Sequence, residues 1–182
     1  QRGGWVSEYY NQVPPQQLQA LRAWFQRVDR DNSGTVEPHE LQHVSFEGVP
    51  LGLPAATKIV KVFDKDRNGA IDLYEYVAMH QFISRMRNAF LKADSDRSGR
   101  LEAREIQGAL SQAGFGFVEY ATTSELLHKF DQTRRGLSWV EFLMLAGHIA
   151  HARSMFEYND HNRSGQITIN INQFVQLMSY LT

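Results

Sequence analysis

The sequence contains no cysteine among its 182 residues. This absence excludes disulfide bonds, thiolate metal sites and cysteine nucleophiles, and it fits the reducing cytosol. Long apolar runs are absent too: the most apolar stretch, 142–150, is interrupted by Gly147 and His148, so we expect a buried helix there and no membrane span. No basic-then-apolar segment typical of a secretory signal opens the sequence. We therefore expect a cytoplasmic protein.

Acidic residues are scarce outside three short segments. Twelve of the 20 aspartates and glutamates lie in residues 29–40, 64–75 and 94–105, four in each, and the rest of the chain holds 8. The 19 lysines and arginines are scattered and form no dense run, so we expect no nucleic-acid partner. Carboxylates this close together repel one another unless a cation lies among them. The three clusters therefore predict cation sites.

The three clusters share a twelve-residue spacing of oxygen side chains, which is the spacing of a Ca²⁺ loop. Positions 1, 3, 5, 9 and 12 carry the side-chain ligands, position 7 lends its backbone carbonyl, and glycine at position 6 permits the sharp turn. By chance, a chain of this composition would contain such a segment on the order of 5 × 10⁻⁴ times. The predicted ligands are Asp29, Asp31, Ser33, Thr35, Glu37 and Glu40; Asp64, Asp66, Asn68, Ala70, Asp72 and Glu75; and Asp94, Asp96, Ser98, Arg100, Glu102 and Glu105. We expect all three loops to bind Ca²⁺, with Mg²⁺ as a competitor.

Two further loops keep only part of this pattern. In the loop that starts at position 131, Arg135 replaces the oxygen ligand at position 5 and Glu141 comes one residue early. We expect no calcium there. In the loop that starts at position 160, Asp160 is the single carboxylate and Ile171 occupies position 12. We expect this last loop to stay empty at physiological calcium.

The loops start at residues 29, 64, 94, 131 and 160, so long and short intervals alternate. The long intervals contain the breakers at 50–54 and 114–116, whereas 76–93 and 142–157 each predict one helix shared by two units. We predict an all-α fold of five consecutive helix–loop–helix units with short loop-strand pairings. The predicted domain spans 14–182, with units at about 18–45, 55–80, 81–112, 123–147 and 148–182, after a short flexible segment, 1–13.

Units of this kind pair through their loop strands, so a chain with five units leaves one of them without a partner. The first can pair with the second and the third with the fourth. The fifth then keeps an unpaired strand edge and an apolar exit helix that carries Phe174, Val175, Leu177 and Met178. A second copy of the same unit would cover both, so we predict a two-fold dimer.

With five units, alternating spacings and a two-residue insertion in the fifth loop, residues 18–182 resemble the penta-EF-hand family. Stretches 25–29, 107–111, 114–116 and 129–131 carry the resemblance. It implies a calcium-dependent adaptor that forms a homodimer or heterodimer through EF-hand 5, binds Pro-rich segments of partner proteins and associates with membranes at most peripherally, when calcium is present. It also implies that Met86, Phe115 and Phe174 line the partner groove; core packing is the alternative for all three. EF-hand 2 is often defective in the apoptosis-linked relatives, but its ligand set is complete here, so we expect it to bind.

One stretch matches the H-E-x-x-H pattern of zinc proteases, at His39, Glu40 and His43. Glu40 is already assigned as a calcium ligand, and Phe46 and Val49 replace the glycine and third histidine of the extended pattern. We therefore expect no enzyme and no catalytic residues. Three functions remain: a calcium-sensing adaptor, a regulatory subunit of a calpain-like protease, and a calcium buffer. Calcium-dependent exposure of apolar surface separates the sensor from the buffer.

Overall fold

Every predicted loop lies between two helices of the computed structural model, which describes residues 5–46, 48–131 and 133–181. The α-helices are α1 Trp5–Asn11, α2 Pro15–Val28, α3 Pro38–Leu41, α4 Gly52–Phe63, α5 Leu73–Ala93, α6 Ala103–Leu110, α7 Tyr120–Phe130, α8 Trp139–Asn159 and α9 Ile171–Leu181. A π-helical turn, Ser111–Phe115, follows α6. The short strands are β1 Ser45–Phe46, β2 Val49–Pro50, β3 Arg100–Leu101 and β4 Leu137–Ser138. Hands 1 to 5 are formed by α2–α3, α4–α5, α5–α6, α7–α8 and α8–α9. The predicted all-α fold of five hands is confirmed.

Helix α5 joins hands 2 and 3, and helix α8 joins hands 4 and 5. Each has 21 residues and begins with a capping box, formed by Asp72 with Glu75 in α5 and by Ser138 with Glu141 in α8. Each ends at the first aspartate of the next loop. The shared helices predicted over 76–93 and 142–157 are therefore confirmed. Neither these helices nor any other described helix is long and apolar enough to cross a membrane.

Hands 1 and 2 pair through their loops, as do hands 3 and 4. Val36 and Ile71 exchange main-chain hydrogen bonds with N···O distances of 2.8 and 3.0 Å. Strands β3 and β4 are antiparallel, with Leu101 opposite Leu137. Hand 5, which the structure describes from residue 160 to residue 181, forms no strand. The predicted pairing scheme thus holds in the described chain, and the fifth hand has no strand partner.

The exit helix of hand 1 is shorter than the sequence predicts. Helix α3 ends at Leu41 after four residues, whereas the predicted hand extends to about residue 45. An antiparallel hairpin follows, in which β1 and β2 pair with Ser45 opposite Pro50. Gly48 in its turn has φ +83°, a left-handed conformation that glycine adopts without strain. The hairpin replaces the last turn of a regular exit helix and leads directly into α4.

Helix α5 runs through a core that hands 1 to 4 share. Phe82 of α5 packs edge-to-face on Phe63 of α4 at a ring-centroid distance of 5.4 Å. Near the other end of α5, Phe90 lies 5.9 Å from Phe142 of α8. Burying an aromatic side chain of this size contributes about 1.5–3 kcal/mol to the free energy of unfolding. Because these contacts join α4, α5 and α8, a movement of α5 must repack all three.

The N-terminal segment differs from the prediction of a short flexible segment over residues 1–13. Residues Trp5–Asn11 form helix α1, in which Val6 is 0% exposed and Tyr9 is 7% exposed. The ring of Tyr9 lies 5.6 Å from that of Phe82, and the ring of Tyr10 lies 4.2 Å from that of Tyr74. These three residues of α1, at i, i+3 and i+4, form one face of a helix, which packs on α5. The boundary predicted at residue 14 therefore does not separate the core from a tail.

Candidate calcium-binding loops

All five loops have left-handed backbone at positions 4 and 6, including the two loops that the sequence predicts not to bind calcium. The residue at position 4 has a φ between 55° and 61° in every loop: Asn32, Arg67, Arg97, Arg134 and Arg163. The glycine at position 6 has a φ between 75° and 86°: Gly34, Gly69, Gly99, Gly136 and Gly165. Non-glycine residues enter this region rarely. The five hands therefore share this turn geometry, and they differ in their ligand sets and in where the exit helix begins.

The aspartate at position 1 holds each turn closed. In hand 1, Asp29 Oδ2 accepts a hydrogen bond from the main-chain N–H of Gly34 at 2.9 Å, and Oδ1 accepts one from that of Ser33 at 2.9 Å. The position-6 glycines of the other four loops donate to their own first aspartates at 2.8–3.1 Å. This aspartate therefore has a structural role in every hand, in addition to any metal that it holds.

In hands 1, 2 and 3 the glutamate at position 12 lies in the first turn of the exit helix and ties both ends of its loop together. Glu40 Oε1 accepts from the main-chain N–H of Arg30 at 2.8 Å, and its Oε2 accepts from that of Glu37 at 3.0 Å. Glu75 and Glu105 are held in the same way by positions 2 and 9 of their own loops, at 2.9 and 3.0 Å and at 3.3 and 3.1 Å. A metal bound to this carboxylate is thereby connected directly to the exit helix.

Hand 1 brings three acidic side chains closest together. Asp29, Asp31 and Glu40 each offer an oxygen atom, and these atoms lie within 4.8 Å of one another. In the described chain no other three carboxylate or histidine groups meet so closely. Asp29 is 6% exposed and Glu40 is 4% exposed, so their mutual repulsion is poorly screened by water. A set of oxygen ligands with this charge fits Ca²⁺ and does not fit the nitrogen- and sulfur-preferring metals.

Hand 2 differs from hands 1 and 3 in the proton affinity of its acids. Burial raises the pKa of both Glu75 and Asp64 above the usual values of these carboxyl groups. In contrast, a hydrogen bond from the Ser33 side chain lowers the pKa of Asp31 in hand 1. In hand 3, the main-chain amide of Ser98 lowers the pKa of Asp96. Burial thus favours the protonated form of two predicted ligands in hand 2, whereas hydrogen bonds favour the ionised forms of Asp31 and Asp96.

Acidification is expected to release calcium from hand 2 first. A carboxyl group with a raised pKa takes up its proton at a higher pH, and the protonated group no longer binds the metal. Calorimetric titration of the wild-type protein should give three bound ions at neutral pH and two at a mildly acidic pH. The matched variant Glu75→Gln should bind two ions at both pH values. If this variant loses a further ion at the lower pH, hand 2 is not the acid-sensitive loop.

Arg100 joins hand 3 to hand 4. As position 7 of its loop, Arg100 offers its carbonyl, which accepts a hydrogen bond from the Ser98 hydroxyl at 2.9 Å. Its guanidinium reaches across to hand 4, where Nη1 donates to the Gly136 carbonyl at 2.5 Å and lies 3.5 Å from Glu141 Oε2. A cation from the neighbouring loop thus interacts with the carboxylate of hand 4. Nothing in the sequence predicts this contact, because the partners are 36 and 41 residues apart.

Hand 5 retains the beginning of a calcium loop but starts its exit helix late. Asn170 and Gln173 form the reciprocal cap of α9: Gln173 Oε1 accepts from Asn170 N at 2.9 Å, and Asn170 Oδ1 accepts from Gln173 N at 3.0 Å. Gln173 therefore occupies the structural place of the position-12 glutamate, two residues further along, and has no charge. That hand 5 stays empty remains a prediction.

The H-E-x-x-H stretch forms no zinc site in the described structure. His39 Nδ1 lies 3.0 Å from Glu37 Oε2 on the surface. The carboxylate of Glu40 is turned into the loop, where it accepts the two main-chain hydrogen bonds described above. Both oxygens of Glu40 are thus engaged within the candidate calcium loop, which does not favour a role as general base beside the two histidines.

The three residues predicted to line a partner groove differ in exposure. Met86 is 0% exposed and Phe115 is 2% exposed, whereas Phe174 on α9 is 49% exposed. Phe117, which the sequence did not single out, is 58% exposed and lies 6.1 Å from Phe115 between ring centroids. The core-packing alternative thus describes Met86 and Phe115 in this structure, and their role in a groove remains a prediction.

Comparisons with known proteins agree with this geometry. Residues 18–81 match the family model described as an EF-hand domain pair. The chain is 39% identical to penta-EF hand domain-containing protein 2 of Dictyostelium discoideum over 175 residues, which cover 96% of this chain and 85% of that protein. Human peflin is 35% identical over 105 residues, which cover 57% of this chain and 37% of peflin.

A solved structure is similar over most of the chain. It is a homolog of programmed cell death 6 protein from Leishmania major Friedlin, with a TM-score of 0.65 and 34% sequence identity, and the match covers 89% of this chain and 90% of that one. The five-hand fold, the oxygen ligands at calcium spacing and these similarities agree with one another. The chain belongs to the penta-EF-hand family and is a calcium-binding protein.

Proposed function

We propose that this protein is a calcium sensor that binds one Ca²⁺ in each of hands 1, 2 and 3 through the predicted ligands and then engages partner proteins. The observation that carries the proposal is the position of Glu40, Glu75 and Glu105. Each lies in the first turn of an exit helix and is tied to both ends of its loop. A metal that draws on this carboxylate therefore acts on the orientation of the exit helix.

The charge change supports a sensor. Three Ca²⁺ ions add six positive charges and take the formal net charge of the chain from −1 to +5. Because α5 packs against both α4 and α8, reorientation at the loops changes the packing of the shared core. Sensor loops of this type bind at roughly 10⁻⁷–10⁻⁵ M, within the range of cytosolic calcium signals. We propose that the protein is cytoplasmic and is recruited to membranes when calcium rises.

The proposed partners are Pro-rich segments. Such segments bind to exposed aromatic side chains. Their extended conformation is already formed before binding, which lowers the entropy cost of binding. Phe117 and Tyr120, beside the turn that contains Phe115, are 58% and 54% exposed. They give the protein an aromatic surface close to α5 and to the predicted groove residues.

A second proposed partner is another copy of hand 5, or the fifth hand of a related chain. Ile171, Phe174, Val175 and Met178 of α9 are 71%, 49%, 60% and 45% exposed, and the described loop of hand 5 pairs with no strand. A two-fold dimer would cover this apolar face. Sedimentation should give a dimer at micromolar concentration, and a monomer at that concentration would contradict this part of the proposal.

Hydrophobic-dye fluorescence and peptide capture test the function together. We expect calcium to increase dye fluorescence several-fold and to allow capture by an immobilised Pro-rich peptide. In the triple variant Glu40→Gln, Glu75→Gln and Glu105→Gln, calcium should neither increase dye fluorescence nor allow capture, since the loops no longer hold calcium. Bound calcium without a change in dye fluorescence would indicate a buffer. Capture of a calpain-like catalytic chain in place of the Pro-rich peptide would indicate a protease subunit.

A further inference from the structure

Helix α1 covers the part of α5 that faces the predicted partner groove. Val6 is fully buried, and the Tyr9 ring packs edge-to-face on Phe82 at 5.6 Å. The ring of Phe82 in turn lies 6.4 Å from that of Phe115, edge-to-face. A residue of the predicted groove and a residue of α1 thus contact the same aromatic side chain of α5.

Arg85 borders this contact on its polar side. Its guanidinium carbon lies 5.9 Å from the centre of the Tyr9 ring, which is within cation–π distance. The same guanidinium lies against the turn that precedes Phe115: a Cβ added at Gly114 would be 3.0 Å from Arg85 Nη2. Arg85 therefore links α1 to the turn between hands 3 and 4.

The groove continues beyond the end of α1. A cavity of about 290 Å³ lies between Gln12, Asn88, Lys92 and Gln112, with Arg85 in its lining. Both charged residues of this lining are basic. A ligand longer than α1 would extend into this space and place acidic or polar groups beside Arg85 and Lys92.

The docked helix is short enough to be released. It has seven residues, and isolated helices shorter than about 12 residues are marginal in water. The contacts of α1 with α5 include aromatic packing and a cation–π contact. Such a segment is stable as a helix because it is docked, so a competing segment can displace it.

We infer that the α5 surface formed by Tyr74, Phe82 and Arg85 is a docking site for a short amphipathic helix, and that α1 is its built-in occupant. The fitting partner segment carries an aliphatic residue at i and aromatic residues at i+3 and i+4, as α1 does with Val6, Tyr9 and Tyr10. Acidic or polar residues follow, toward Arg85 and Lys92. The inference rests on the proposed sensor function, because α1 then controls access to the groove used by partners.

A trans-binding experiment tests the docking site. The probe is a fluorescein-labelled peptide with the sequence of residues 1–13. The full-length double variant Val6→Asp, Tyr9→Ala should bind it at least about tenfold more tightly than the wild-type chain, whose own helix occupies the surface. The matched control Glu8→Gln, on the exposed face of α1, should behave as wild type. Equal affinity in the variant and the wild type, or no binding by a variant that circular dichroism shows to be folded, overturns the inference.

A disulfide lock keeps the test informative if the double variant unfolds. The chain has no cysteine, so Tyr10→Cys with Tyr74→Cys introduces one pair at a contact where the native rings lie 4.2 Å apart. The oxidised protein should no longer bind the labelled peptide of residues 1–13, and reduction should restore this binding. Equal binding of the labelled peptide by the cross-linked and the reduced protein overturns the docking inference while the sensor function stands. Tight binding of the labelled peptide by the double variant, without calcium-dependent capture of the wild-type protein by the Pro-rich peptide, would instead contradict the sensor function and leave the docking inference standing.

Discussion

Replacing Glu40 with glutamine is expected to remove one of three calcium ions bound per chain. Glutamine keeps one acceptor oxygen for the capping box but loses the negative charge and the second oxygen that Ca²⁺ needs at position 12. Affinity in hand 1 should fall on the order of 100-fold or more. Isothermal titration of the chelator-stripped protein measures the effect as a stoichiometry of two in place of three. Because Glu40 is 4% exposed, water cannot easily replace the missing oxygen.

The control for this experiment is the same substitution in hand 4. Glu141 occupies the equivalent place in the first turn of α8, where its Oε2 accepts from Ser138 N at 2.7 Å. Glu141→Gln should therefore disturb the cap as Glu40→Gln does but leave the stoichiometry at three. If both variants lose one ion, hand 4 binds calcium and the assignment by ligand spacing is wrong. If neither loses an ion, Glu40 is not a ligand.

Replacing Gly136 with alanine is expected to lower the free energy of unfolding by about 2–4 kcal/mol. Gly136 has φ +82°, and a Cβ at this position would be 2.7 Å from the carbonyl oxygen of Leu101 and 3.0 Å from its carbonyl carbon. Both atoms belong to the main chain of β3, so they cannot rotate away as a side chain would. The substitution must push β3 and β4 apart. Urea denaturation in the presence of chelator measures the loss without a contribution from bound calcium.

Gly165→Ala separates the two causes of this loss. Gly165 has φ +75° in the corresponding place of hand 5, and no atom lies within 4 Å of a Cβ built there. Gly165→Ala therefore introduces backbone strain without a close contact between Cβ and another main chain. It should lower the free energy of unfolding by about 1 kcal/mol. If Gly136→Ala and Gly165→Ala lower the free energy of unfolding equally, the pairing of hands 3 and 4 tolerates displacement of β3.

The fold was predictable because its determinants are local. The spacing of Asp29, Gly34 and Glu40 fixes a turn and a helix start within twelve residues, and the same spacing recurs in the other loops. The apolar periodicity of 76–93 was sufficient to predict one helix in place of two. In each case the residues that decide the structure lie close together in the sequence.

The features that could not be predicted depend on contacts between distant segments. Helix α1 is too short to be stable alone, and its position follows from the burial of Val6 and Tyr9 on α5. The contact of Arg100 with the Gly136 carbonyl depends on the register of β3 and β4. No pattern within one segment contains either piece of information, so propensity and spacing leave them open.

Helix α5 carries a ligand of one proposed calcium site at each end. Glu75 lies in its first turn and Asp94 is its C-terminal cap, and its 21 residues span about 31 Å. A rod of this kind, held along its length by the core, cannot tilt at one end without moving the other. Filling hand 2 therefore changes the free energy of filling hand 3, and by linkage the reverse change is equal. We expect this coupling to be positive, so that these two hands take up calcium cooperatively, with a Hill coefficient above one.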